Sequence, residues 1–252
     1  MSNATSSQSF EDAPTLVPAA QMPDGAPEDE TELSAEYRSA VVDLLGAIAY
    51  GEISAFERLA EDSQLAPDLT DKLTMATMAA TQLGNVEGLR ARIEELGSDL
   101  LTAMAPFESS IDRFHEHTAP RDWFESLVKA YVGDQLAADF FREIAEVLDP
   151  RTRHVIIASL SDIGQTDFVI HRVNQAIAAD HRLGGRLALW GRRLMGEALI
   201  QGQRVAAERD SLVALLGASD GRPGMDLAEI GRMFTRLTEK HAKRMDRLGL
   251  DS

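Results

Sequence analysis

Apolar residues recur at steps of three and four along four stretches of the chain, which is the spacing of one face of an α-helix. The first stripe consists of Val41, Leu45, Ile48, Glu52, Ala55 and Leu59, so an acidic residue sits in its middle. The other three stripes are interrupted in the same way, by Gln82 and Asn85, by Asp134, and by Asp162 and Gln165. A carboxylate on a core-facing stripe costs free energy unless it is paired or binds a metal. The pattern predicts four helices that direct polar groups into one shared buried site.

The four stripes form two similar pairs. Gln82 follows Glu52 by 30 residues, and Asp162 follows Asp134 by 28. The first helix of each pair offers one carboxylate, and the second offers two polar side chains at i and i+3. This is the layout of a ferritin-like di-iron bundle, in which two helices give one Glu each and two give Glu-x-x-His.

Helix start and stop signals place the bundle helices at about 34–62, 70–97, 120–148 and 150–181. Two added helices follow at about 186–216 and 226–248. The 98–119 connection is long and carries a short helix around 107–114, and one long crossover is what a ferritin-like bundle needs. We therefore expect an all-α fold, in which residues 35–252 form a ferritin-like four-helix bundle with one long crossover and two extra C-terminal helices.

Composition narrows the class of protein. Residues 1–34 hold seven Asp and Glu but no Lys or Arg, which predicts a disordered acidic tail. The 252 residues include no cysteine, which excludes disulfides and thiol catalysis. No stretch approaches the ~18–20 uncharged apolar residues of a membrane span, and no secretory signal is evident. We expect a cytoplasmic protein without a membrane partner, whose oligomeric state, a homo-oligomer included, stays open.

Charge is distributed unevenly along the chain. Residues 1–181 contain 12 Lys and Arg against 32 Asp and Glu, whereas residues 182–252 contain 13 against 9. The acidic total argues against general nucleic-acid binding. The basic C-terminal part either forms a local phosphate-facing patch or consists of solvated helix faces.

Several segments resemble one known family, the actinobacterial MiaE-like ferritin-like proteins, relatives of the tRNA 2-methylthio-isopentenyladenosine hydroxylase. The segments are 40–46 (AVVDLLG), 49–52 (AYGE), 128–134 (VKAYVGD), 185–190 (GRLALW), 195–198 (MGEA) and 230–234 (IGRMF). The resemblance spans residues 36–249. It implies an oxygen-dependent di-iron hydroxylase that acts on a modified tRNA adenosine, with tRNA contacting the basic C-terminal helices.

The ligands that the resemblance implies are only partly present. Glu52, Asp134 and Asp162 stand at acidic positions of the family site. Where the family has Glu-x-x-His on the second helix, this chain has Gln82 and Asn85, and Gln165 replaces the histidine of the fourth. Carboxamides are neutral and cannot bridge two metals as carboxylates do. We therefore expect a degenerate site and a non-catalytic or altered-function protein that serves as a binding or regulatory module.

The sequence leaves three alternatives for how the polar groups of this site are satisfied. The amides and acids can satisfy one another in a closed hydrogen-bond network. A single weakly bound divalent cation, Mg²⁺, Mn²⁺ or Ca²⁺, can bind Glu52, Asp134 and Asp162. The third alternative is a working centre with two iron ions. Four histidines outside the site, His115, His117, His171 and His241, are expected at the surface, and Tyr131 in the core.

Overall fold

The structure is a computed structural model that describes residues 33–160, 165–217 and 225–251, and all regular structure in these ranges is helical. The prediction of an all-α fold is confirmed. The described helices are α1 (Ala35–Asp62), α2 (Leu69–Glu95), α3 (Leu100–Met104), α4 (Glu108–His117), α5 (Trp123–Ala145), α6 (Pro150–Ser159), α7 (Gln165–Ala179), α8 (His181–Glu208), α9 (Asp210–Leu216) and α10 (Leu227–Arg247).

The frame of the bundle is built from the long helices. α1 and α2 pack along each other, α5 packs against α8, and α6 contacts both α2 and α5. Their apolar stripes form two buried clusters, one centred on α5 and α8 and the other on α1 and its neighbours. The polar residues of the stripes lie between these clusters, which is where the site is found.

Acidic side chains begin most of these helices. Asp68, Asp99, Asp122, Asp149, Asp180 and Asp226 each accept a hydrogen bond from a backbone N–H of the first turn. Such caps satisfy N–H groups that have no partner within the helix. The sequence-based starts at Asp149 and Asp226 are confirmed.

The predicted fourth helix, 150–181, is wrong as a single element. α6 ends at Ser159, where Leu160 departs from helical geometry, and α7 starts at Gln165. The side chain of Arg142 on α5 donates a hydrogen bond to the Leu160 carbonyl oxygen at 2.6 Å, so a contact across the fold satisfies this helix end.

The predicted fifth helix, 186–216, is also divided differently. α8 begins at His181, capped by Asp180, and continues through Gly184 and Gly185, so it starts five residues before the predicted position 186. The low helix propensity of glycine is a small effect, and a good N-cap and tertiary packing override it. α8 ends at Glu208, and the turn at Arg209 lets α9 pack against α1, where Ser211 donates a hydrogen bond to Asp43 at 2.5 Å.

The long crossover between α2 and α5 is more helical than expected. It carries α3, a 3₁₀ turn at Ala105–Phe107 and α4. α3 crosses α1 so closely that a Cβ atom at Gly46 would overlap the carbonyl oxygen of Ala103. The crossover is thus fixed to the bundle, and α4 covers one side of the site.

α1 is long and apolar enough to be compared with a membrane span. It contains an 18-residue window of mean hydropathy 1.4, and 56% of that window is buried within the protein. The helix packs against α2, α3, α4, α5 and α9. Its apolar surface is therefore explained by the protein core that it forms.

Most of the predicted acidic tail lies outside the described residues, which begin at Leu33. The last two residues of that segment contact the domain. Ser34 caps α1 by accepting a hydrogen bond from the Tyr37 N–H at 3.3 Å, and Arg38 donates one to the Leu33 carbonyl oxygen at 2.9 Å.

Candidate site between α1, α2 and α5

Four of the six predicted site residues converge between α1, α2 and α5. Asn85 donates a hydrogen bond from Nδ2 to Glu52 Oε2 at 3.1 Å, and Gln82 donates one from Nε2 to Asp134 Oδ2 at 3.3 Å. Each carboxyl group is therefore paired with one carboxamide. Asp162 and the side chain of Gln165 lie outside the described residues. We call Glu52, Gln82, Asn85 and Asp134 the polar cluster.

Both carboxyl groups of the polar cluster hold their protons more strongly than usual. Burial raises the pKa of Glu52 to about 8, the hydrogen bond from Asn85 opposes that rise, and the charge of Asp134 adds to it. Burial raises the pKa of Asp134 to about 7, against the opposing charge of Lys129. Burial therefore favours the protonated form of both carboxyl groups.

The four residues of the polar cluster line a cavity of about 550 Å³. Its walls are mostly apolar side chains of α1, α4, α5, α8, α9 and α10. Leu199, Val213 and Phe234 line the cavity, and they are also 37%, 49% and 42% exposed to solvent, respectively. We infer an apolar mouth between α8, α9 and α10.

A family model described as a ferritin-like domain of actinomycetes matches residues 35–219. The chain belongs to this ferritin-like family. The prediction of a ferritin-like bundle is confirmed, whereas the narrower MiaE-like assignment stays a prediction. α10 follows the matched residues, and it nevertheless contributes Met233, Phe234 and Leu237 to the cavity wall.

Among the solved structures with a similar fold is a protein with aldehyde deformylating oxidase activity from Synechococcus. It is 19% identical in sequence, has a TM-score of 0.64, and the alignment covers 86% of this chain and 93% of that one. Likeness at this identity shows the fold alone. No curated protein matches the chain.

The described residues of the ferritin-like site supply two carboxyl groups and two carboxamides. Iron sites of this kind use anionic carboxylates and imidazoles. Here the carboxamide NH₂ groups of Gln82 and Asn85 donate a hydrogen bond to one oxygen of each carboxyl. Within the described ranges, no group of three or more His, Cys, Asp and Glu side chains is placed to hold a metal ion.

The sequence pattern missed three further polar residues that line the cavity, Lys129, His115 and Gln201. Lys129 Nζ, His115 Nδ1 and both amide atoms of Gln201 are buried without a hydrogen-bond partner in the described part of the chain. Lys129 follows Leu127 and Val128 in an apolar run, which is a signal that sequence reasoning had available. No sequence pattern indicated that α4 packs beside the cavity and places His115 on its wall.

The expectation that all four histidines lie at the surface is wrong for two of them. His241 on α10 is buried, and burial lowers its pKa. Burial likewise lowers the pKa of His115 to about 3, so this imidazole is neutral. His171 is exposed, and His117 contacts Glu197 at 3.3 Å near the surface. Tyr131 is buried as expected, and its hydroxyl accepts a hydrogen bond from Arg247 at 3.3 Å.

Proposed function

We infer that this protein is a non-catalytic ferritin-like member that binds an elongated, mostly apolar molecule in the cavity. The observation that carries this proposal is the pairing of each carboxyl of the polar cluster with a carboxamide on the wall of that cavity. The pairs satisfy the polar groups without a metal, and they leave the space beside them open. A cavity of this volume lies within the range of small-molecule sites, roughly 300–1,000 Å³.

The nature of the walls supports an apolar ligand. The polar cluster lies on α1, α2 and α5, while the inferred mouth carries Leu199, Val213 and Phe234. Burying an aliphatic chain against such walls is favourable by about 25 cal/mol per Å² of apolar area. The ligand's polar end then lies beside the polar cluster, and its apolar end lies towards the mouth.

We expect no cofactor, or at most one weakly held Mg²⁺, Mn²⁺ or Ca²⁺ on Glu52, Asp134 and Asp162. Protein expressed with ample iron should contain far less than two irons per chain by elemental analysis. The triple change Gln82→Glu, Asn85→His and Gln165→His should raise the metal content, because it supplies the anionic and imidazole ligands. Two tightly held irons in the wild type would overturn the proposal.

Ligand binding is tested by filling the cavity. Gly51 lines it, and a Cβ atom there would meet nothing within 4 Å, so Gly51→Leu should place its side chain in the open space. Decan-1-ol should raise the melting temperature of the wild type. The shift for Gly51→Leu should be at most a third of the wild-type shift.

Gly88→Leu is the matched control, since Gly88 is exposed on α2, away from the cavity, and equally free of close neighbours. This variant should respond to decan-1-ol as the wild type does. An equal response of the two variants, or no response of the wild type, would contradict the proposal.

The alternative function is the one that the family resemblance implies, a di-iron hydroxylase for a modified tRNA adenosine. The observation in its favour is the excess of basic residues after position 181. Several of these side chains already pair with acids of α5, as in Arg186–Glu125 at 2.6 Å and Arg236–Glu143 at 2.7 Å. Tight, salt-dependent binding of tRNA would favour this alternative.

A further inference from the structure

Lys129 is a polar residue of the cavity wall that lies outside the polar cluster. It lies on α5, 6% exposed, and its Nζ has no hydrogen-bond partner among the described residues. Its nearest aromatic contact is the ring of Phe114 on α4, with 5.9 Å from Nζ to the ring centroid. A buried ammonium without a paired acid is expensive, so such a group calls for an explanation beyond packing.

The surroundings of Lys129 lower the pKa of its amine. Burial lowers the pKa of Lys129 to about 8, although the charges of Asp62 and Asp134 oppose this effect and Arg58 adds to it. At pH 7 about a tenth of the side chain is then unprotonated. A desolvated lysine amine of this kind is a nucleophile towards carbonyl carbon.

The same surroundings disfavour an anionic ligand head group. Glu52 and Asp134 already line the cavity, and a third acid beside them would increase the electrostatic cost. A neutral carbonyl group adds no charge. It is also the group with which a free amine reacts.

We propose that Lys129 holds the cavity ligand through a reversible imine, and that the ligand is an aliphatic aldehyde or ketone. This inference rests on the proposed binding function of the cavity. The Nζ lone pair forms a bond to the carbonyl carbon while the carbonyl π bond opens, which gives a carbinolamine after a proton passes from nitrogen to oxygen. The second nitrogen proton then leaves with that oxygen as water, and the C=N bond forms. No electrons are gained or lost overall.

The test is reductive trapping on the full-length protein. Decanal at a substoichiometric amount is added with sodium cyanoborohydride, and the products are located by peptide mass spectrometry. The chain has four lysines, and Lys72 and Lys243 are exposed. We expect a decyl group on Lys129 at least tenfold faster than on either exposed lysine. Equal labelling, or labelling of the exposed lysines alone, would overturn the proposal.

Two substitutions separate the imine from a charge effect. Lys129→Met should abolish the trapped product, and Lys129→Arg, which keeps a positive charge but cannot form an imine, should abolish it as well. Lys72→Met is the matched control and should trap decanal on Lys129 as the wild type does. Circular dichroism checks that each variant is folded, and retained fast trapping in folded Lys129→Arg would refute the assignment.

A parallel measurement with decan-1-ol tests the imine proposal separately from the proposed binding of an apolar ligand. If decan-1-ol raises the melting temperature but decanal is not trapped, the cavity binds apolar ligands and the imine proposal is wrong. If neither compound acts, both proposals fail. If decanoate stabilises the wild type and Lys129→Arg alike while no imine is trapped, Lys129 is the counter-ion of a carboxylate and the imine proposal is again wrong.

Discussion

Glu52 is a buried acidic side chain whose ionisation costs the folded state free energy. Its side chain is 8% exposed, on a stripe of apolar neighbours, and Asn85 supplies one hydrogen bond. Burial raises its pKa from the ordinary 4.5 to about 8. The folded state therefore binds the proton more tightly than the unfolded state does, and folding stability falls as the pH rises from about 4.5 to about 8.

We expect Glu52→Gln to stabilise the protein at pH 8, where the wild type must either ionise a buried group or hold its proton. The gain should be on the order of 2–4 kcal/mol, or roughly 5 °C in melting temperature. At pH 5 the two proteins should melt within about 2 °C of each other, because the wild-type carboxyl is then protonated in the folded state.

Glu94→Gln on α2 is the control for charge removal alone, since Glu94 is exposed. It should change the melting temperature little at either pH. A Glu52→Gln variant that is no more stable at pH 8 than at pH 5, relative to wild type, would show that Glu52 is not buried in solution.

At the scale of elements, the contact between α1 and α3 decides how the crossover reaches across the bundle. Gly46 lets the two backbones approach without a side chain between them. Because α3 leads through a 3₁₀ turn into α4, this contact also places His115 and Phe114 against the cavity. A glycine in the middle of an α-helix is thus explained by packing rather than by local conformation.

Gly46→Ala should destabilise the protein by about 2 kcal/mol, since the new methyl group meets a backbone atom that cannot rotate away. Gly51→Ala on the same helix is the matched control, because a Cβ there meets nothing within 4 Å. That control should gain about 0.5–1 kcal/mol from the better helix propensity of alanine. Chemical denaturation measures both, and equal effects would refute the close contact.

At the scale of the whole molecule, the uneven charge of the sequence becomes a set of internal pairs. α10 joins α5 through the Arg236–Glu143 pair, at 2.7 Å, and through the Arg244–Asp139 pair. Lys240 approaches Glu143 at 3.3 Å in the same contact. Basic residues of α10 are therefore paired with acidic residues of α5.

Deleting residues 2–32 should leave the melting temperature within about 2 °C of the full chain, because this segment is too polar to contribute a core. Deleting residues 2–34 should lower it further, since the loss of the Ser34 cap costs ~1 kcal/mol. Differential scanning calorimetry compares the three proteins. A large drop for the shorter deletion would show that the acidic segment docks on the domain.

Much of this architecture is determined by the sequence alone, because helix phase and capping are local. The three-and-four spacing that places Glu52 among Leu45, Ile48 and Leu59 fixes which face of α1 is buried. The same phase on α2 and α5 places Gln82, Asn85 and Asp134 opposite it. An aspartate before an apolar run signals a helix start whatever packs on it later, as at Asp149.

Only the tertiary structure decided the rest, since it depends on residues far apart in the chain. The burial of Lys129 and of His115 Nδ1 requires α4 to cover α5, and the end of α6 at Leu160 involves Arg142. The cavity itself is space left between α1, α5, α8 and α10, and no single stripe records a volume. Local patterns say which side chains face inwards, whereas long-range packing decides what those side chains meet and what room remains between them.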